Sequence, residues 1–310
     1  MRRVVVITGP TATGKTALGI ALALEMNGEV VSADSMQIYR GMDIGTAKPT
    51  PEEMMGVAHH MLDVADPGEN YSAAKYVAQA SACVDDILAR GKLPIIVGGT
   101  GLYIDSLISG RDFAVQADPR LREELGARYD ELGAEALHNE LAAVDPERAA
   151  KLSPMDKKRV VRALEVYLST GKTITEHDRE SSLVPPRYNA ATIALSFKDR
   201  EKLYERIDSR VDVMVARGLF EEVETLLQSG LSEKSTAMQA IGYKEAVMAL
   251  RGDISRQEAI ELIKRESRRY AKRQLTWLRR DESIRWILWD TKPDFDFARQ
   301  VSAEFLSLRV

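Results

Sequence analysis

Residues 9–16 read GPTATGKT and satisfy the pattern G-x-x-x-x-G-K-[ST]. No other segment constrains the fold as strongly. Such a loop works only between a strand and a helix, and both are present: Val4–Thr8 is a short β-branched run, and Ala17–Met26 has helical composition closed by Asn27-Gly28. Glycines let the backbone bend so that several N–H groups meet one anion. The helix N-terminus adds partial positive charge. The expected anion site comprises Gly9, Pro10, Thr11, Ala12, Thr13, Gly14, Lys15 and Thr16, with the Lys15 charge on the outer phosphate and the Thr16 hydroxyl on magnesium.

The remaining pattern extends this unit into an α/β fold, a P-loop NTPase-like parallel sheet flanked by helices. Glu29–Ala33 and Leu93–Val97 read as buried strands, and Tyr71–Arg90 reads as a helix ended by Gly91. Between about Ala114 and Arg187 the chain becomes rich in Arg, Glu, Ala and Leu, with helical spacing and no strand candidate. Asp118-Pro119 and Pro185-Pro186 bound it. The expected organisation is a catalytic core of residues 1–114 and 188–310 carrying a helical insertion over 115–187. Asn189–Phe197 returns to the sheet, the chain from Arg200 is helical, and Ile284–Trp289 offers a last strand.

In an open α/β sheet, ligands sit at the carboxyl ends of the strands. Three strands deliver polar residues to that edge: the phosphate loop, Asp34-Ser35, and Gly98-Gly99-Thr100-Gly101. Leu93–Val97 ends in glycines rather than in a metal-binding Asp, so group transfer or phosphorylation of a small acceptor suits the loop better than ATP hydrolysis. Asp34 at that edge is either a proton acceptor or the cap of its own turn. Thr100 is either ligand-facing or part of a simple strand-to-helix turn.

Composition removes other classes. A single cysteine, Cys83, excludes an intrachain disulfide and any multi-cysteine zinc site. His59, His60, His138 and His177 have no zinc spacing. No apolar run reaches the roughly 18 residues of a membrane span, so no membrane partner is expected. With 43 Lys and Arg against 47 Asp and Glu, the net charge of −4 argues against non-specific nucleic-acid binding. Locally the balance inverts. Lys264–Arg285 holds nine basic residues against three acidic, with Arg265, Arg268, Arg269 and Lys272 on one helical face. Met42, Met54, Met55 and Met61 suit either an apolar pocket or ordinary core packing.

Segment 34–49, DSMQIYRGMDIGTAKP, resembles the signature of the tRNA dimethylallyltransferase family, also called tRNA isopentenyltransferases or IPP transferases. HHMLD at 59–63, VGGTGLY at 97–103, RALEVY at 162–167, AIGY at 240–243 and RQLTW at 273–277 follow in the family order. The resemblance covers essentially the whole chain and implies the bacterial type, without a C-terminal zinc finger.

That resemblance implies transfer of a dimethylallyl group from dimethylallyl diphosphate to N6 of the adenine 3′-adjacent to the anticodon of tRNA, releasing diphosphate. Lys15, Asp34, Thr100 and Arg210 are then the catalytic residues. Asp34 takes the amine proton, Thr100 orients N6 and the donor, and Arg210 adds charge at the diphosphate. Magnesium at Thr16 is the implied cofactor. The implied tRNA contacts are Asp34, Ser35, Met36, Gln37 and Thr100 at the sheet edge. Glu123, Lys158, Arg159, Val160, Val161 and Arg162 belong to the insertion. Gln239, Ala240, Ile241, Gly242, Tyr243 and Lys244 complete the set, with Tyr243 either stacking on a base or buried. The insertion is expected to clamp the anticodon stem-loop while the target base leaves its stack. A cytoplasmic monomer with no obligate protein partner is expected. A small-molecule kinase, a prenyltransferase for free adenine nucleotide, and a non-catalytic RNA-binding nucleotide switch are the alternatives.

Overall fold

The structure is a computed structural model that describes residues 2–110 and 119–307. The chain divides into two compact units, one of residues 1–110 with 187–310 and one of residues 111–186. The expected insertion boundary at 114/115, and Asp118, lie outside the described residues.

The first unit opens with β1 (Arg3–Thr8), α1 (Lys15–Glu25) and β2 (Gly28–Ser32). A short helix α2 (Pro51–Met54) and a two-residue strand β3 (His59–His60) precede α3 (Ala73–Ala89), β4 (Leu93–Val97) and α4 (Gly101–Ser109). The second unit holds five helices among its described residues: α5 (Pro119–Leu132), α6 (Ala134–Val144), α7 (Pro146–Ala149), α8 (Lys157–Thr170) and α9 (Ile174–Ser182). The first unit resumes with β5 (Asn189–Phe197), α10 (Arg200–Ala216), α11 (Leu219–Gln228), a 3-10 turn (Ala237–Gln239) and α12 (Tyr243–Leu250). It ends with α13 (Arg256–Leu278), β6 (Arg285–Trp289) and α14 (Phe295–Ser307).

All strand pairings are parallel, in the order β3-β2-β4-β1-β5-β6. The β-branched residues of β1 are buried on both faces, as a central parallel strand requires. Val5 lies beside Ile95 of β4 on one side and Ala191 of β5 on the other. Leu18 and Leu22 of α1 pack on this sheet with Ile193, Leu195 and Trp289. Helix α1 ends where the sequence marks it, with Asn27 in the left-handed region at φ 50°. Among the elements not expected are the short helix α2, the strand β3, which exists by pairing Val30 with His59, and α14, which covers the sheet through Ala298 and Leu306.

The helical unit has its own core, built on Leu125, Leu137, Leu141, Val160, Val161 and Leu164. Within it, the fully buried Glu165 carboxylate receives a bidentate Arg122 guanidinium and pairs with Arg162 at 3.1 Å. Two of the residues expected at tRNA have their side chains turned into this core. The side chains of Val160 and Val161 are core residues, because the basic run lies on an amphipathic helix whose apolar face turns inward. Glu123, Lys158 and Arg159 are exposed, whereas Arg162 is half-buried.

Candidate active site

The loop between β1 and α1 bends as its composition requires. Gly9 has φ 134° and Gly14 has φ 90°, both in the region that side chains disfavour. A Cβ at Gly9 would also collide with the Leu195 carbonyl of β5. One internal bond and three neighbouring elements, α13, α10 and β6, grip the loop. The Thr13 hydroxyl donates to the Pro10 carbonyl at 2.8 Å. Gln274 of α13 accepts from the Thr11 N–H at 3.2 Å and donates to the Gly99 carbonyl at 2.9 Å, tying the phosphate loop to the end of β4. Arg206 of α10 donates to the Ala12 carbonyl at 3.3 Å, and the Trp289 indole of β6 donates to the Thr13 carbonyl at 3.0 Å.

The loop faces a cavity of about 1020 Å³. Lys15 and Thr16 line it at the loop, Asp34 to Gln37 at the end of β2, and residues 44–49 beside them. Arg206 and Arg210 line it from α10 and Arg217 from the residue after it, the segment Gln239–Tyr243 from another side, and Tyr270, Arg273 and Gln274 from α13. The Lys15 ammonium donates to the Pro10 carbonyl at 2.8 Å. Burial, and then the nearby Arg210 charge, push its pKa down to about 7, while Asp34 pulls the other way. Arg210 is shifted down by burial as well, opposed by Asp34 and Glu53. Its Nε is buried without a hydrogen-bond partner among the described residues. An unsatisfied buried guanidinium N–H beside a destabilised ammonium is a site prepared for an anion.

Asp34 caps its own turn and lines the cavity. Its Oδ1 accepts from the backbone N–H of Met36 (2.9 Å) and Gln37 (3.4 Å), closing an Asx turn, and Oδ2 makes neither bond. Thr100 is the N-cap residue of α4 and is not part of the cavity wall. Its Oγ1 accepts from the Ser35 N–H at 3.1 Å and donates to the Ser35 Oγ at 3.3 Å, joining the ends of β4 and β2. The Gln37 side chain is engaged internally, donating to the Thr46 and Ala47 carbonyls, each at 3.3 Å.

Tyr243 is fully buried and donates to Glu222 at 2.6 Å, so it is no stacking platform. Lys244 pairs with Glu245 at 3.5 Å. Arg268 leaves the expected basic face and donates to both Asp208 oxygens, at 2.6 and 2.5 Å. Met55 lines the cavity, while Met42 and Met61 are core residues. His59 and His60 bond to the Val57 carbonyl and to Glu29. Among the described residues no group of three or more His, Cys, Asp or Glu is placed to hold a metal ion. The Thr16 hydroxyl at the cavity suits a magnesium ion carried mainly by phosphate oxygens and water, which needs few protein ligands.

Sequence reasoning missed Tyr270, Gln274 and Arg206. Tyr270, whose hydroxyl pKa is pushed up to about 12 by burial and then by the Asp34 charge, faces Thr100 and Gln274. The signal was present in α13: Ile263, Ser267, Tyr270 and Gln274 recur every three or four residues, opposite the basic face.

A phosphate loop at the carboxyl edge of a parallel sheet, with two cations and a carboxylate converging above it, defines a P-loop enzyme of group transfer. The family described as IPP transferase matches residues 37–281. A tRNA dimethylallyltransferase of Acetivibrio thermocellus is 50% identical over 96% of this chain and 94% of its own length. One of Caldanaerobacter subterraneus is 47% identical over 98% of each chain. Among solved structures, the full-length tRNA isopentenylpyrophosphate transferase of Bacillus halodurans is 43% identical, covers 99% of this chain and 96% of its own, and has a TM-score of 0.74. A eukaryotic dimethylallyltransferase described as acting on tRNA is 31% identical over 99% of this chain and 80% of its own, with a TM-score of 0.84. The chain thus belongs to the IPP transferase family of tRNA dimethylallyltransferases and is a prenyl-transferring enzyme. No helix among the described residues is long and apolar enough to cross a membrane.

Proposed function

We propose that this chain transfers the dimethylallyl group of dimethylallyl diphosphate to N6 of the adenine 3′-adjacent to the anticodon in tRNA. The observation that carries this reading is the pairing of Lys15 with the buried, unpartnered Arg210 Nε above the phosphate loop, with Asp34 close enough to act on both charges. The cations take the diphosphate. As the carbon–oxygen bond of the donor breaks, its electron pair and negative charge pass to the diphosphate, where Lys15 and Arg210 stabilise them. The N6 lone pair forms the new carbon–nitrogen bond, and the N6 proton passes to Asp34. Thr100 and the Asx turn hold Ser35 and Asp34 in place. Magnesium at Thr16, when bound, neutralises further diphosphate charge.

The acceptor is tRNA rather than a free nucleotide. Lys158 and Arg159 on the helical unit, and Lys272 and Arg273 on α13, are exposed cations suited to a phosphate backbone. Met55 and Ile20 supply apolar cavity wall for the prenyl group.

The test is incubation of the purified chain with radiolabelled dimethylallyl diphosphate and magnesium, offering unmodified tRNA, AMP or ATP in parallel. Label is expected in tRNA alone. Label in AMP and not in tRNA, or phosphate transfer from ATP without prenyl transfer, overturns the proposal.

A further inference from the structure

One carboxylate outside the cavity is bonded to a segment that forms part of its wall. Glu222, on α11, does not line the cavity. Its Oε2 accepts from the backbone N–H of Asp43 at 2.9 Å and of Ile44 at 2.7 Å, and its Oε1 accepts from the Gly45 N–H at 3.1 Å. The same Oε1 receives the Tyr243 hydroxyl at 2.6 Å. Three consecutive N–H groups pointing at one anion form a nest, here filled by the protein's own side chain. The Tyr243 ring lies against Gly45 so closely that a Cβ there would stand 2.5 Å from it.

The clamped segment matters because of what it carries. Residues 44–49 line the cavity beside Asp34–Gln37, and Gln37 holds the Thr46 and Ala47 carbonyls. Lys48, itself almost fully buried, reaches the Tyr39 carbonyl at 2.9 Å and the Asp43 and Asp63 carboxylates at 2.5 Å each. Those bonds all come from within residues 37–63. Glu222 and Tyr243 are the grip from the opposite side, and Tyr243 closes the cavity-lining run Gln239–Tyr243. The two walls therefore meet at one carboxylate.

We propose that Glu222 is a positioning residue for the transfer reaction, holding residues 43–45 so that the wall next to Asp34 is set before the acceptor base arrives. The inference rests on the prenyl-transfer reading for its kinetic consequence. Glu222 touches neither substrate; it acts through the loop. Its removal should lower turnover and leave the diphosphate site, built from β1, α1 and α10, unchanged.

Glu222→Ala removes all four bonds. Glu222→Gln keeps two of the three backbone bonds when its carbonyl faces Asp43 and Ile44, and the Tyr243 hydroxyl can reorient towards the amide. Tyr243→Phe keeps all three backbone bonds. With concentrations corrected for active sites by diphosphate titration, E222A is expected to lower kcat about 10- to 100-fold. KM and Kd for the donor should stay within about threefold, and E222Q should recover most of the loss. Hydrogen exchange at the amides of Asp43, Ile44 and Gly45 is expected to accelerate in E222A and far less in Y243F. Wild-type-like kcat per active site in E222A, an equal loss in E222Q and E222A, donor affinity falling in step with kcat, or unchanged exchange at those amides overturns the proposal. A wild-type chain that transfers no prenyl group sinks the catalytic reading instead, and the exchange measurement then decides whether Glu222 holds the loop.

Discussion

The Trp289 indole N–H donates to the Thr13 backbone carbonyl at 3.0 Å, linking the last strand of the sheet to the phosphate loop. The ring is 2% exposed and meets Phe295 edge-on, with centroids 6.0 Å apart, and Phe295 presses on Gly14. Both aromatics lie beyond residue 281, where the family match ends. Trp289→Phe keeps an aromatic ring and leaves the Thr13 carbonyl without this donor. An unsatisfied buried group costs about 1–3 kcal/mol. A drop in Tm and a weaker diphosphate affinity are expected, by thermal scan and calorimetry; unchanged values for both would contradict the link.

Donor binding is expected to depend on pH through Lys15. Its pKa of about 7 is below the unfolded value, so between about 7 and 10.5 the unfolded chain carries a proton that the folded, ligand-free chain lacks. This group's contribution to stability therefore rises with pH across that window and is at its lowest below pH 7. Diphosphate prefers the ammonium, so affinity should fall as pH rises above 7, and binding at pH 8 should take up a proton. Calorimetry in buffers of differing ionisation enthalpy measures that uptake, and a buffer-independent binding enthalpy at pH 8 would refute it.

Asp34→Asn separates the two uses of that side chain. Asn retains an oxygen for the Met36 and Gln37 N–H groups, so the turn survives, but it cannot take the N6 proton. A rate loss of about 10²–10⁴ is expected, with tRNA affinity nearly kept. Single-turnover transfer and filter binding measure the two. Near-normal turnover in the variant rules out the base.

Two neighbouring cations on α13 should respond differently to removal. Arg268 is bound to Asp208, so Arg268→Ala should lower Tm and leave the salt dependence of tRNA binding unchanged. Lys272 is exposed, so Lys272→Ala should keep Tm and reduce the slope of log K against log salt by about 1. The reverse pattern would mean that Arg268, not Lys272, meets the phosphate backbone.

The sheet's central strands and the site's carboxyl edge were legible because each buried strand is a short apolar run ended by glycine or a polar turn. Strand β3 was not, since two histidines carry no strand pattern and pair only because β2 lies beside them. Asp34, Lys15 and Arg210, which the sequence singles out, line one cavity. The support beneath them was hidden by sequence distance: Gln274 meets Thr11, and Glu222 meets Asp43, across most of the chain. Helical spacing put Arg268 with its basic neighbours, but the Asp208 carboxylate on α10 draws it inward. Tyr243 carried two readings, and Glu222 decides between them.

The strand order also sets a timetable for synthesis. Strand β1 needs β4 on one side and β5 on the other, and β5 begins only at Asn189. At roughly 5–20 residues per second, the β5 side of Arg3–Thr8 stays open for roughly ten to forty seconds while the ribosome makes the intervening helices. Those of the second unit own a separate core and can collapse during the wait. The nascent chain thus exposes an unpaired parallel edge beside an incomplete phosphate loop, which makes this interval the stage at which chaperone capture or mispairing with a neighbouring nascent chain has its greatest opportunity.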